Sequence, residues 1–274
     1  MGVHWYPGHM AKAKRNLQKA LKLVDIVIEV LDARIPYSSR NPDIKKLIND
    51  KKAVVVLNKE DLADEDVTFR WMEYLNKKRE KAVAVNSLTS KGIEQIINYI
   101  DEIQGHDKGF KKIVKGIIIG IPNVGKSSLI NQLSKKSSAK TGNRPGITKG
   151  EQWINVKKGF RLLDTPGILW PKFQSPDIGV KLAITGAIRD ELFDAEEVAV
   201  GFINIVLKLN YLNKLEERYG LCLKGMESFK ILEEVGRKRG CLLKGGCIDT
   251  LKAAGLLLKD YRMGKLGRLS LEIP

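Results

Sequence analysis

The feature that most constrains this 274-residue chain is a glycine-rich segment between an apolar run and a helical stretch. Residues 120–127 fit the pattern Gly-x-x-x-x-Gly-Lys-Ser, and Ile117-Ile118-Ile119 comes directly before them. The pattern predicts a phosphate-binding loop, because its glycines let backbone N–H groups surround an anion at the start of a helix. A glycine-rich turn that binds nothing is the alternative, and the joint occurrence of strand, loop, Lys-Ser pair and helix argues against it.

The side chains of this loop have distinct expected roles. We expect Lys126 to reach the β- and γ-phosphates and the Ser127 hydroxyl to ligate Mg²⁺. The residues expected to contact the phosphates are Asn123, Val124, Gly125, Lys126, Ser127 and Ser128, together with Gly167 farther along the chain.

A second motif indicates a binding site for a guanine base. The apolar run 53–57 is followed by Asn58-Lys59-Glu60-Asp61, which fits the guanine-reading pattern Asn-Lys-x-Asp. A carboxylate at Asp61 accepts hydrogen bonds from both N1–H and the exocyclic amine of guanine, a donor pair that adenine lacks. We expect Asn58 to tie neighbouring loops together and the stem of Lys59 to lie along the base.

The loop after the next apolar strand supports this interpretation. Residues 82–85 are followed by Asn86-Ser87-Leu88, which resembles the second loop that contacts the base in guanine-binding proteins. A four-residue match such as Asn-Lys-x-Asp also occurs by chance in polar turns. Its position at a strand end, with Asn86-Ser87 one unit later, favours a guanine site.

Two further segments predict the magnesium site and the switch elements. Residues 135–150 lack apolar periodicity and carry Thr148, which suits the role of a second hydroxyl ligand to Mg²⁺. Asp164-Thr165-Pro166-Gly167 follows a short apolar strand. At the end of a strand, we expect Asp164 to hold the metal ion through a water molecule and the Gly167 N–H to contact the γ-phosphate.

The order of these motifs predicts the fold. The base-reading half (24–103) precedes the phosphate-reading half (115–167), the reverse of the usual GTPase order. A parallel sheet tolerates such a permutation because strand adjacency, not chain order, builds the site. We therefore predict an α/β P-loop GTPase fold with a circularly permuted, mostly parallel sheet, followed by a small all-α domain. The predicted divisions are a GTP-binding domain at 1–180, with an N-terminal loop and basic helix at 1–23 and a linker at 104–114, and an α-helical, RNA-binding domain at 181–274.

Net charge points to a polyanionic partner. Of the total of +16, residues 111–179 contribute +10, from 13 basic and 3 acidic residues. A nucleotide site does not require that much positive charge, whereas RNA does. A solvated lysine-rich surface is the alternative, and the concentration of the charge in one segment favours RNA. For the basic cluster Arg237-Lys238-Arg239, with Lys230 and Lys244, an RNA contact and a solvated helix face stay equally open.

Membrane and secretory classes do not fit this composition. No apolar run approaches the 18 or more residues of a spanning helix, and the first residues lack a signal-peptide core. The odd set of Cys222, Cys241 and Cys247 lacks metal-ligand spacing and suits a reducing compartment. We expect a cytoplasmic protein.

With Tyr6-Pro7-Gly8-His9-Met10, Asp32-Ala33-Arg34 and the loop at 120–127, the chain resembles the circularly permuted GTPases. It is most similar to the members that act in ribosome assembly. The resemblance implies a GTP-hydrolysing factor for late assembly of the large ribosomal subunit, which works on ribosomal RNA and neighbouring ribosomal proteins. It also implies GTP and GDP as ligands, Mg²⁺, and a potassium ion that Asn123 helps to hold. We expect a monomer away from the ribosome.

The hydrolytic water needs an orienting group. Ordinary small GTPases place glutamine after Asp-x-x-Gly, whereas this chain has Ile168, which cannot hydrogen-bond water. His9 is the candidate for that role, and a loop histidine that caps a helix or stacks on RNA is the alternative. We therefore expect His9 and Thr148 to serve catalysis, with slow hydrolysis alone and stimulation by a ribosomal particle. The rival function is an RNA-binding scaffold that keeps GTP as a structural ligand.

Overall fold

The computed structural model describes most of the chain, namely residues 15–48, 51–105, 113–135, 152–157, 159–165 and 175–274. These residues form two compact units. One unit comprises the described residues up to 165 together with Glu272–Pro274, and the other comprises residues 175–271. The predicted domain boundary at 180/181 stays a prediction.

A six-stranded sheet forms the centre of the first unit. Its strands are β1 (Ile26–Asp32), β2 (Lys52–Asn58), β3 (Lys81–Val85), β4 (Val114–Ile119), β5 (Gln152–Lys157) and β6 (Phe160–Asp164). Their order is β3-β2-β1-β4-β6-β5, and every neighbouring pair is parallel except β5 with β6. The predicted α/β fold with a mostly parallel sheet is confirmed.

Helices cover this sheet because its central strands are apolar on both faces. The helices of this unit are α1 (residues 15–21), α2 (Pro42–Ile48), α3 (Glu65–Lys77), α4 (Ile93–Gly105) and α5 (Lys126–Lys135). All seven residues of β1 are buried. A strand that is buried on both faces has a nearly continuous apolar sequence, and β1 fits this pattern.

Two apolar clusters attach helices to the sheet. Leu17 and Leu21 of α1 pack in one apolar cluster with Val27 of β1 and Ile117 of β4. Trp71 and its neighbours on α3 form another cluster with residues of β1 and β2. The burial of these side chains provides the main stabilisation of the unit.

The two halves of the sequence meet at the centre of the sheet. Strand β1 pairs with β2 along its full length and with β4 in the register Ile26↔Gly116 to Glu29↔Ile119. Strand β4 pairs in turn with β6. The carboxyl ends of β1, β2, β4 and β6 therefore lie at one edge, where parallel α/β sheets bind ligands.

The segment that joins the halves is anchored at both of its described ends. The carbonyl of Gly159 accepts a hydrogen bond from Gln104 Nε2 (2.6 Å) at the end of α4. It also accepts one from Val114 N (2.8 Å) at the start of β4. A single turn between β5 and β6 thus holds the last turn of one half and the first residue of the other.

The second unit is helical, as predicted for the fold class. It contains α6 (Pro176–Ile184), α7 (Ala195–Lys208), α8 (Leu212–Tyr219), α9 (Ser228–Lys238) and α10 (Thr250–Arg262), with a short 3₁₀ turn at Asp190–Leu192. Phe202 of α7 and Tyr261 of α10 stack with ring centroids 4.8 Å apart. None of the helices in the described part of the chain is long and apolar enough to cross a membrane.

A charged group is buried inside this helical unit. Asp260 is 3% exposed and accepts hydrogen bonds from Arg218 Nε (3.1 Å) and Nη2 (3.0 Å). Burial acts to raise the pKa of Asp260, but its bonds to Arg218 and Lys265 outweigh that effect and lower it. Burial and the Asp260 charge together raise the pKa of Tyr219. Because its pKa is lowered, the Asp260 carboxylate is ionised at neutral pH.

We predict that Gly116→Ala lowers the free energy of unfolding by about 1–3 kcal/mol, the usual cost of overpacking a core. A Cβ at this position of β4 would lie 2.7 Å from Cζ of Phe160, whose side chain is fully buried. Chemical denaturation monitored by circular dichroism measures the change. Gly105→Ala is the matched control, because its new methyl group meets no atom of the described residues within 4 Å. Equal stability of the two variants would contradict the packing of β4 against β6.

Candidate functional site

The loop between β4 and α5 approaches its neighbours so closely that two positions require glycine. A Cβ on Gly120 would lie 2.5 Å from the carbonyl oxygen of Val30. A Cβ on Gly125, where φ is +93°, would lie 2.3 Å from Asn58 Nδ2. The glycines thus allow the loop to fold back on the sheet edge, with its N–H groups at the start of α5.

Lys126 occupies the first turn of α5 and is 8% exposed. Its ammonium donates hydrogen bonds to the carbonyls of Ile121 (2.8 Å) and Gly120 (3.1 Å). Burial lowers the pKa of Lys126 to about 8, and the negative charge of Asp164 opposes that shift. The group is mostly protonated at pH 7 and so brings a positive charge to the loop.

The Asn58 side chain joins three loops at the end of β2. Its Nδ2 donates to the carbonyl of Val124 (2.7 Å) in the phosphate loop. Its Oδ1 accepts from the backbone N–H of Ser87 (3.2 Å) in the loop after β3. Asn58 is fully buried, so these bonds satisfy an amide that has no access to water.

Lys59 reaches the same loop through its ammonium group. Lys59 Nζ donates to the carbonyl of Asn123 (2.6 Å) and forms an ion pair with Asp32 Oδ2 (3.1 Å). The Asp32 carboxylate also binds Arg34 through Nε (2.9 Å) and Nη2 (2.8 Å). Burial acts to raise the pKa of Asp32, but the charges of Arg34 and Lys59 outweigh it and hold that pKa well below its usual range.

The loop after β3 is shaped by its own side chain and by α5. Asn86 Oδ1 accepts from the N–H groups of Leu88 (2.8 Å) and Thr89 (3.2 Å), which closes a tight turn. Gln132 of α5 donates to the carbonyl of Leu88 (3.2 Å). Leu88 itself is largely exposed, and its backbone N–H and carbonyl are both bonded within the protein.

The donor set at the sheet edge fits a magnesium ion. Ser127 is exposed in the first turn of α5, and Asp164 ends β6, the strand next to β4. The neighbouring Thr165 hydroxyl donates to the carbonyl of Ile118 (2.6 Å), which ties the end of β6 to β4. Hydroxyl and carboxylate oxygens together with phosphate oxygens are the ligands that Mg²⁺ prefers.

The structure describes only some of the other predicted site residues. Asp61, half-buried, lies just beyond Lys59 in the turn after β2. His9, Thr148 and Gly167 lie outside the described residues. The structure therefore brings together Asn58, Lys59 and Ser87 from the base-reading half with Asn123, Val124 and Gly125 from the phosphate-reading half.

Sequence reasoning missed the contact between Asp32 and Lys59 at this edge. The Asp32-Ala33-Arg34 segment served only as a mark of resemblance, yet Asp32 is an immediate neighbour of Lys59. The available signal was its position, since an aspartate at the carboxyl end of a central strand lies at the ligand edge of the sheet.

Comparison with known proteins gives the same assignment. The family model described as "50S ribosome-binding GTPase" matches residues 115–217. Ribosome biogenesis GTPase A of Bacillus cereus is 45% identical, over 100% of this chain and 95% of that protein. The solved structure of GDP-bound YlqF superposes with a TM-score of 0.72 at 28% identity, over 95% of this chain and 99% of that one. GNP-bound YlqF from Thermotoga maritima gives a TM-score of 0.69 at 29% identity, over 96% and 98% of the two chains.

These relatives match the chain over nearly its whole length. Identity of 45% over the full chain is well above what a likeness of fold alone gives. The chain belongs to the ribosome biogenesis GTPase A family, and it hydrolyses GTP.

Proposed function

We propose that this GTPase is an assembly factor that acts late in maturation of the large ribosomal subunit. In this proposal the GTP-loaded form binds pre-ribosomal RNA and neighbouring ribosomal proteins, and hydrolysis promotes its release. The observation that carries the proposal is the junction of the two halves, where Asn58 and Lys59 donate to the carbonyls of Val124 and Asn123. A guanine nucleotide spans such a junction, with its base on one half and its phosphates on the other.

Each part of the nucleotide has its own group of residues. Asp61 accepts hydrogen bonds from the guanine N1–H and amine, the stem of Lys59 lies along the base, and the backbone of 86–88 approaches the guanine oxygen. The phosphates lie against the N–H groups of 123–128, with Lys126 at the β- and γ-phosphates and the Gly167 N–H at the γ-phosphate. A charged lysine and a helix N-terminus both favour this anion.

Metal ions complete the site. Ser127 and Thr148 supply hydroxyl ligands to Mg²⁺, and Asp164 binds the ion through water. When bound, Mg²⁺ neutralises charge that develops on the phosphate oxygens. Asn123 is exposed in the phosphate loop and helps to hold a potassium ion beside the phosphates. Because its carbonyl accepts from Lys59 Nζ, its side-chain amide oxygen is the ligand.

Hydrolysis in this proposal is slow until the protein meets its ribosomal particle. Ile168 cannot orient the attacking water, so His9 takes that role on the ribosomal particle. The names of the Bacillus cereus relative and of the matching family model both refer to the ribosome. The excess positive charge of 111–179 supplies the contact with RNA phosphates. The protein acts in the cytoplasm as a monomer when it is free of the ribosome.

Asp61→Asn is expected to reverse the base preference. The substitution removes two charge-assisted hydrogen bonds to guanine, so affinity for GDP falls by roughly 100-fold or more. An asparagine amide instead matches xanthine, which presents an acceptor where guanine has its amine, so affinity for XDP rises. Titration with fluorescent GDP and XDP measures both changes. Asp66→Asn makes the same charge change at an exposed position of α3 and leaves both affinities as in the wild type. Unchanged GDP affinity in Asp61→Asn refutes the guanine assignment.

His9→Ala is expected to reduce particle-stimulated phosphate release by roughly 10²–10⁴-fold, the usual contribution of a group that positions or deprotonates a reactant. GDP affinity stays unchanged, because the side chain is needed for water and not for the nucleotide. Single-turnover phosphate release with large-subunit precursors is the measurement, and His4→Ala is the control. Stimulated hydrolysis at the wild-type rate in His9→Ala rules out this role. A wild-type protein that binds GTP but is not stimulated by the particle supports the scaffold function instead.

A further inference from the structure

The ammonium of Lys59 is held between the two halves of the site. One of its acceptors is the carbonyl of Asn123 in the phosphate loop, and the other is the carboxylate of Asp32 at the end of β1. Lys59 also has a left-handed backbone conformation (φ 60°), which non-glycine residues keep only where the surrounding structure enforces it. Both ends of this side chain are thus fixed by the protein.

Asp32 is in turn fixed by the loop that follows it. Arg34 donates to its carboxylate from the backbone N–H (3.1 Å) and from two guanidinium nitrogens. The backbone N–H of Asp32 donates to Ser39 Oγ (3.1 Å). Asp32 and Ser39 are both buried. The position of the carboxylate therefore depends on the conformation of the loop at residues 33–40.

A residue from a distant part of the sequence holds that loop. The Glu272 carboxylate accepts hydrogen bonds from the N–H of Tyr37 (2.8 Å) and from the N–H of Ser38 (3.1 Å). It also accepts one from the Ser38 hydroxyl. The carbonyl of Glu272 accepts from Trp71 Nε1 (3.2 Å) on α3. Glu272 is 6% exposed and belongs to the same compact unit as the site.

We propose that Asp32 is a positioning residue that sets Lys59 against the guanine base, and that Glu272 maintains it by holding the loop at 33–40. The effect passes from Glu272 to the loop, from the loop to Asp32, and from Asp32 to Lys59. This inference rests on the proposed assignment of residues 58–61 to guanine. Neither Asp32 nor Glu272 touches the nucleotide in this arrangement, so each acts only through Lys59.

A double-mutant cycle in GDP affinity tests the first link. Asp32→Asn leaves an amide where Lys59 needs a negative charge, and Lys59→Met removes the ammonium but keeps an apolar stem. Each single variant is expected to raise the Kd for GDP by about tenfold, which corresponds to roughly 1.4 kcal/mol. The double variant is expected to bind no more weakly than Lys59→Met alone, because the Asp32 effect needs the ammonium. Effects that multiply in the double variant overturn the proposal.

The second link is tested without disturbing the buried Asp32–Arg34 pair, since loss of Asp32 leaves a buried guanidinium without its anion. Glu272→Ala in the full chain is expected to speed dissociation of fluorescent GDP several-fold. Ile273→Ala is the matched control, because that side chain is 56% exposed and the neighbouring contacts remain. In the Lys59→Met background Glu272→Ala is expected to have no further effect.

The outcomes separate this inference from the function on which it rests. Wild-type protein that discriminates GDP from XDP while Glu272→Ala and Ile273→Ala dissociate GDP at equal rates overturns the positioning role alone. Wild-type protein without preference for GDP refutes the guanine assignment and, with it, this inference. Faster dissociation in Glu272→Ala that disappears in the Lys59→Met background supports the whole chain of contacts. A general loss of structure does not produce that pattern, because it adds to the effect of Lys59→Met.

Discussion

The side-chain amide of Asn58 is the interaction on which the site depends. Its nitrogen donates to a backbone carbonyl of one loop, and its oxygen accepts from a backbone N–H of another. Its partners Val124 and Ser87 lie 66 and 29 residues away in sequence. A buried amide that loses one such bond costs about 1–3 kcal/mol, so the three loops are held in one arrangement. An aspartate of the same shape would place a negative charge against the carbonyl of Val124.

This dependence explains why the permuted order of the motifs does not disturb the chemistry. The sheet places β1 between β2 and β4, so the base-reading and phosphate-reading strands end at the same edge whichever comes first in the chain. The cost of permutation falls on the join between the halves. There, Gln104 and Val114 share the carbonyl of Gly159. Anchored ends of this kind shorten the segment whose closure costs conformational entropy.

Much of this arrangement could be predicted from the sequence because its signals are local. The apolar runs 53–57, 82–85 and 117–119 lie in β2, β3 and β4, and the short apolar strand before Asp164 is β6. Each predicted polar motif follows a strand, and parallel strands bring their carboxyl ends together, so the meeting of 58–61 with 120–127 followed from topology alone. Periodicity and turn residues carry that kind of information.

The contacts of Arg34 and Glu272 could not be predicted from any local pattern in the sequence. Arg34 is a charged residue with 1% exposure, and no pattern in the sequence distinguishes it from a solvated loop arginine. Glu272 pairs with the N–H of Ser38 across 234 residues, and it follows a helical unit of different composition. Such pairings depend on where the folded chain returns, and a single sequence does not contain that information.

The network around Lys59 shows how a site of this kind gains affinity without additional contacts to its ligand. A free lysine side chain loses about 2 kcal/mol of conformational freedom when it is ordered, and binding must supply that loss if the protein has not. Here the ammonium already has two acceptors, and the backbone already has the left-handed conformation that the turn needs. Folding has therefore met the cost of ordering Lys59, at the expense of burying Asp32 and Arg34 together. Because a buried ion pair adds little net stability by itself, its retention at the ligand edge is better explained by the position it gives to Lys59 than by stability.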